Sequence, residues 1–322
     1  MKLRRLIELR HWRRRYRLCR ACFTDPGYAS WRLAFLTKDP FTLRTIHGQE
    51  LPFEWADHPF WDWLAARAGR DIALTREGDW LVRPADGIAA LLRPGTSDAD
   101  MFREVVVEDQ YALAGLPDTL NVVLDVGANI GLFGCALLAK ARRVIFVEPD
   151  AGNVAQIRKN ITLHGGGDNT EVLALAAAGR SGETVDFYSH QRKSCCNTML
   201  PDCFDPDEAG QIHIQRVETI SLRDLIDHSG AERIDLLKCD VEGAEYAIIA
   251  AAAADGCLRR VDCLLMEVHV RNVEGVAAAE AMLDQIRACG FSIQRTGPGE
   301  RGSGRGAARA GWGFNIICRH EG

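Results

Sequence analysis

No stretch of about 18 consecutive apolar residues occurs anywhere in the 322-residue chain, so a membrane-spanning helix is not expected. The first twenty residues lack the apolar centre of a secretory signal, and the expected compartment is the cytoplasm. A distributed basic surface is missing too. Nine of those twenty residues are Lys or Arg against Glu8 alone, a local charge of +8, while the chain as a whole carries −5. The remainder is therefore acidic, which argues against a nucleic-acid partner. Paired cysteines are also lacking. The count is eleven, an odd number, and Cys135, Cys239, Cys257, Cys263 and Cys289 lie in apolar contexts where a thiol behaves as a small hydrophobe. Cys19 and Cys22 have the spacing of metal ligands but no second pair, and Cys195, Cys196 and Cys203 make only a loose cluster. Tryptophan almost disappears after residue 80: six of seven precede residue 81. No internal repeat is visible.

The segments that are present suggest three regions. Residues 1–22 read as a basic helix that suits either an anionic membrane surface or a docking partner. Residues 23–95 read as an irregular accessory region rich in Trp and Pro. Its Trp55, Trp61 and Trp63 would either pack a small core or stack on an acceptor sugar. Ser97 or Asp98 is placed to cap a helix that closes the extension. From Asn121 onward, strands alternate with helices, as in a parallel sheet covered on both faces. The strands read as "NVVLDV", "RVIFVEP", "TEVLALAAAG", a short "ETVDFYS", "IDLLKCDV" and "VDCLLMEVHV". "FSIQRT" and "GFNIICR" close the domain as a hairpin across residues 297–313.

In such a sheet a ligand binds beyond the carboxyl ends of the strands, where strand order reverses. Asp125, Gly127, Asn129 and Gly131 lie at the first of these ends, and glycine there lets the backbone approach a ligand. Glu148 ends the next strand and can accept ribose hydroxyls. A nicotinamide dinucleotide would share the ribose contact, and an oxidoreductase is the alternative reading. Its G-x-G-x-x-G loop serves a pyrophosphate, however, whereas here two glycines are separated by three residues and preceded by an acid. That acid suits an ammonium. S-adenosylmethionine offers an ammonium and a ribose, and it has no phosphate. A further alternative, a non-catalytic scaffold that only binds such a cofactor, would not need the acidic groups found at the later strand ends.

"LDVGANIGLFG", "VIFVEPD", "ETISLRDLI", "DLLKCDVEGAEYAII" and "LLMEVH" together resemble the FkbM-type family of S-adenosylmethionine-dependent methyltransferases, over about residues 96–318. The resemblance implies a Rossmann-like α/β fold, mostly parallel and doubly wound with a reversed last strand, spanning 96–322. It also implies O-methylation of a hydroxyl on a sugar, glycan or natural product. By position it matches Asp125, Gly127, Asn129 and Gly131 to the cofactor loop and Glu148 to the ribose-binding acid. Lys238, Asp240, Glu242, Gly243 and Glu245 match the segment beside the reacting centre.

A hydroxyl nucleophile needs a base, and Asp240, Glu242, Glu267 and His269 are the candidates. Strand alternation puts Glu267 and His269 on one side of their strand. His269 is attractive because an ordinary imidazole titrates near neutral pH; it could equally satisfy a backbone carbonyl. Glu245, opening a helix, is expected to complement its dipole. Asp240, Glu242 and Glu267 could also gather a divalent cation around a substrate diol, although no metal is required by the spacing.

Overall fold

The computed structural model describes residues 12–34 (14 excepted), 41–53, 72–84 (76 excepted), 87–190, 192–200, 210–270, 273–296 and 312–320. Residues 1–11 of the basic helix, Trp55, Trp61, Trp63, Cys203 and the loop 297–311 lie outside them; residues 15–22 are helical. Two compact units divide the chain, Met1–Arg103 and Glu104–Gly322.

The first unit is more ordered than its composition suggests. A helix α1 (Pro26–Ala34) is followed by the antiparallel pair β1 (Phe41–Arg44) and β2 (Glu50–Phe53). A three-stranded antiparallel sheet then forms from β3 (Ile72–Leu74), β4 (Trp80–Val82) and β5 (Ala90–Leu92). Two of its turns are built alike. Thr45 Oγ1 accepts from Gln49 N at 3.0 Å and Thr75 Oγ1 accepts from Asp79 N at 3.1 Å. In each, the glycine three residues on, Gly48 or Gly78, takes a positive φ. The region read as irregular and free of repeats thus carries a repeated T-x-x-G-x turn; five residues twice are too few to stand out by eye. Phe23 and Trp80 meet edge to face at 6.0 Å in its core, beside buried Cys19 and Cys22. Burial pushes those thiols up to about 11 and about 12, as expected of packing groups. The helix α2 (Asp98–Phe102) begins without a side-chain cap. Asp98 is instead buried and holds Arg93 through two side-chain bonds of 2.7 and 2.8 Å.

The second unit is a seven-stranded sheet in the order β14-β15-β13-β12-β6-β7-β8. Its strands are β6 (Leu120–Val126), β7 (Ala141–Val147), β8 (Thr170–Leu173), β12 (Ile234–Cys239), β13 (Val261–Val270), β14 (Phe291–Thr296) and β15 (Trp312–His320). Strand β15 runs antiparallel to both neighbours, while the pairs among β6, β7, β8, β12 and β13 are all parallel. The Rossmann-like, doubly wound fold with a reversed last strand is therefore present. The helices are α3 (Leu132–Leu137), α4 (Ala151–Leu163), α5 (Leu222–His228), α6 (Glu245–Ala254) and α7 (Val273–Ala288). One continuous core joins Leu124, Leu237 and Leu264 of the sheet to Leu225, Ile249 and Leu283 of the helices. Near-continuous apolar runs in β6, β7 and β12 are what a sheet buried on both faces requires.

Two strand readings need correction. "TEVLALAAAG" is not one strand: β8 stops at Leu173, and β9 (Ala176–Ala178) joins a second sheet with β10 (Thr184–His190) and β11 (Ile212–Ser221). The residues stay small and apolar across the break, so nothing local marks it. Strand β11, ten residues long, was not anticipated, although "IHIQRVETI" alternates in part; the pairing with β10 decides it.

Candidate active site

Strand order reverses between β6 and β12, and the loops leaving those two strands touch. A Cβ on Gly127 would lie 1.7 Å from the carbonyl oxygen of Asp240, and Gly127 has φ +71°. Only glycine allows this approach. The amides of Gly127 and Ala128 both donate to Val147 O, at 3.0 and 3.1 Å, which ties the loop to β7. Asn129 adopts a left-handed φ of 51°, tolerated because its Oδ1 accepts from Ile130 N at 2.8 Å. Gly131, at φ +79°, turns the chain into α3.

Glu148 braces this loop. Its Oε2 accepts from Asn129 N at 2.8 Å, and its Oε1 accepts from Asp150 N at 3.0 Å and from the Asn153 amide at 3.3 Å. The side chain is buried, and loss of solvent is the main cause that moves its carboxyl up to about 7 against the pull of those donors. Asp125 lies beneath the loop. Its Oδ2 accepts from Gly134 N at 3.0 Å, while its buried Oδ1 accepts no hydrogen bond among the described residues. Lys238 brings an ammonium to Asp125: its Nζ is 3.6 Å from Asp125 Oδ1, 3.6 Å from Asp240 Oδ2, and donates to Gly127 O at 2.6 Å. Burial raises the Asp125 carboxyl and Lys238 partly offsets it. For Lys238 the desolvation that would lower its value is outweighed by Asp240 and Asp125.

The ends of β12 and β13 bring the four candidates for proton transfer together. His269 Nε2 is 3.9 Å from Asp240 Oδ1, 3.4 Å from Glu242 Oε2 and 3.8 Å from Glu267 Oε1. Glu245, in the first turn of α6 as the dipole reading requires, also reaches the cluster. It is fully buried; its Oε1 accepts from His269 N at 2.8 Å and lies 3.2 Å from His269 Nδ1. Its Oε2 accepts from Gly243 N at 2.8 Å. Desolvation would lower the His269 imidazole, but Glu242 and Glu245 outweigh it and hold the ring well above its ordinary value. Carboxylates surround the ring, which sets it apart from the ordinary imidazole on which the sequence reading drew. Desolvation, with the charge of Asp240 added, raises Glu267.

Two contributors had no local signal. Tyr111 donates to Asp240 Oδ2 at 2.9 Å and meets Phe133 edge to face at 5.3 Å. Thr198 donates to Glu242 O at 2.9 Å, at a residue whose φ is +52°. Both come from connections rather than from sheet strands of this unit, so periodicity could not find them.

A family model described as the methyltransferase FkbM domain matches residues 125–293, from the glycine loop through the acidic cluster to β14. The chain belongs to the FkbM methyltransferase family. Within 231 residues it is 29% identical to the AMB antimetabolite synthetase AmbE of Pseudomonas aeruginosa, covering 60% of this chain and 10% of that protein. It is 30% identical to the 2-O-methyltransferase NoeI of Sinorhizobium fredii over 49% of this chain and 65% of NoeI. It is 25% identical to the methyltransferase sdnD of Sordaria araneosa over 46% of this chain and 66% of that protein. The matches thus span a tenth of the first relative and just under two thirds of the other two. Among solved structures, the methyltransferase FkbM of Methylobacillus flagellatus superposes with a TM-score of 0.40 at 15% identity, covering 64% of this chain and 45% of that one. Among the described residues of this FkbM-family chain, no helix is long and apolar enough to cross a membrane.

Proposed function

We propose that this FkbM-family chain is an S-adenosylmethionine-dependent methyltransferase that acts on a hydroxyl of a sugar, glycan or natural product. The observation that carries the reading is the contact of Gly127 with Asp240, which sets a ligand-cradling backbone directly against a cluster of proton-accepting groups. The name of NoeI, a 2-O-methyltransferase, supports oxygen as the acceptor atom, and the antimetabolite synthetase supports small-molecule chemistry.

The residues present fit the cofactor. Glu148 Oε2 accepts one hydrogen bond where a carboxylate oxygen can accept two, so a ribose hydroxyl has a lone pair to meet. Asp125 and Lys238 fix the loop from below, and Asn129, Gly127 and Gly131 shape its rim. When bound, S-adenosylmethionine supplies a methyl group on a sulfonium for in-line displacement by oxygen. The chain's part is to position that oxygen and take its proton. Asp240 is engaged by Tyr111 and Lys238, His269 is held by Glu245, and Glu242 is the nearer carboxylate to His269 Nε2, at 3.4 Å. Glu267, whose carboxylate has His269 as its ion-pair partner at 3.8 Å and accepts no hydrogen bond among the described residues, is the group left to receive the proton. With that proton held by Glu267, the acceptor oxygen would be free to take the methyl group, and the cofactor would depart as a neutral thioether.

Titration calorimetry with S-adenosylmethionine and with a nicotinamide dinucleotide tests the cofactor, and isotopically labelled methyl donor with polyhydroxylated acceptors, read by mass spectrometry, tests the transfer. Binding of the dinucleotide in place of S-adenosylmethionine would overturn the reading.

A further inference from the structure

We infer that Asp240, Glu242 and His269 form a divalent-cation site that binds the acceptor hydroxyl. This deepens the methyltransferase reading and rests on it. One ligand atom from each residue lies within 4.8 Å of the others. Around an octahedral cation bonded at about 2.1 Å, adjacent ligands are about 3 Å apart and opposite ones about 4.2 Å. The observed 3.4 and 3.9 Å from Nε2 to Glu242 and Asp240 fall between these, so small side-chain rotations suffice.

Proximity of acids alone would mean little. The second observation is how the ligands are oriented. Fully buried Glu245 takes the Nδ1 side of His269, and the same oxygen holds the His269 amide, so ring and backbone are fixed together. The carboxylate on Nδ1 holds one ring proton there, so a cation that displaces the proton on Nε2 meets that nitrogen beside Asp240 and Glu242; this outer partner is the usual companion of a metal-bound histidine. Asp240 is oriented in the same way. Tyr111 bonds its Oδ2 and Lys238 stands beside that oxygen, which leaves Oδ1 toward Nε2. Two ligands from different strands are thus each aimed at one point by buried groups that do not themselves reach it. Oxygen donors with one imidazole suit Mn2+ or Mg2+ rather than a thiolate-seeking metal. Three protein ligands leave positions for the two oxygens of a vicinal diol. Coordination acidifies the hydroxyl, and Glu267, outside the triad, receives the proton as the oxygen takes the methyl group.

The test uses the full chain, stripped with chelator and titrated with Mn2+, with free Mn2+ followed by electron paramagnetic resonance. One saturable ion per chain is expected. Glu242→Gln, at a half-exposed position, should weaken it at least tenfold while leaving the circular dichroism spectrum and melting temperature unchanged; Asp240→Asn should do the same or more. Lack of Mn2+ binding by the parent at millimolar concentration overturns the site, and so does parental affinity in both variants. Calorimetry with S-adenosylmethionine in the same preparation separates the two proposals. Cofactor binding without Mn2+ uptake removes the cation site alone, whereas Mn2+ uptake without cofactor binding removes the methyltransferase reading.

Discussion

At the end of β6 the chain builds with backbone: Gly127 passes within contact of Asp240, and the amides of Asn129 and Asp150 converge on one buried carboxylate. At the ends of β12 and β13 it builds with side chains: four ionisable groups surround His269, and their positions depend on partners from elsewhere in the fold. The first region tolerates almost no change of residue type, because its geometry is set by atoms every residue has and by the absence of a Cβ. The second depends on charge, and single changes there should leave the fold while altering the chemistry.

The strongest challenge to that contrast is Gly127→Ala. A methyl group 1.7 Å from a carbonyl oxygen cannot be accommodated without moving the loop, and φ +71° adds strain. We expect a loss of stability above about 4 kcal/mol and no measurable cofactor binding, checked by denaturant unfolding and calorimetry. A stable, binding-competent alanine variant would mean that the two strand ends need not touch.

The opposite behaviour is expected of His269→Gln. Turnover should fall ~10²-fold or more, with S-adenosylmethionine affinity within about twofold of the parent, since His269 stands against Glu267, the proton acceptor, and its loss is felt in the transition state. Equal losses in binding and turnover would show that the acidic cluster is part of the cofactor's seat.

Glu148 joins the two styles, being a side chain that serves backbone. Glu148→Ala should weaken S-adenosylmethionine by about 1.5–3 kcal/mol, the range for hydrogen bonds to a charged group. Glu148 also makes a pH prediction. Its folded value of about 7 lies above the ordinary 4.5, so the folded state holds this proton more tightly. That stabilisation is complete below about pH 4.5 and is lost as pH rises to about 7. Chemical denaturation at pH 5 and pH 8 should show a smaller difference in Glu148→Gln than in the parent, by about 3 kcal/mol at most. An unchanged difference would place the titration elsewhere.

The smallest effect is expected from Tyr111→Phe. It removes one bond to Asp240 and leaves Lys238 beside the same oxygen. A loss of about 1–2 kcal/mol of stability is anticipated from thermal unfolding, and turnover should fall more than stability if Tyr111 aims Asp240.

The glycine loop was legible in the sequence because its constraint is local. Gly127, Asn129 and Gly131 all adopt positive φ, and these residue types are the ones that do so at least cost. Glu148 was found by its place at the end of the next strand, but its brace on the loop was not, since that needs α4 and the loop to meet. Glu267 and His269 share a side through simple alternation. Their meeting with Asp240 is a matter of register: Lys238 pairs with Leu265 and Cys239 with Met266, so one step beyond β12 Asp240 comes level with Glu267. Tyr111 and Thr198 were invisible, as were the bonds of Glu245 to His269. The hairpins of the first unit escaped notice because their strands have only three or four residues each.

What the sequence by itself determined is therefore whatever depends on neighbours along the chain. That includes the alternation of strands and helices, the glycine loop, the acids at the strand ends and membership of a methyltransferase family. Tertiary structure alone decided the protonation preference of His269, the pairing of Lys238 with Asp125 and Asp240, and the aim of the cluster. Those properties arise from burial and from charges brought within 4 Å, and except for Lys238 with Asp240 the partners are separated by more than twenty intervening residues. Electrostatic energy depends on such distances and on lost solvent, and neither is written in the order of the residues.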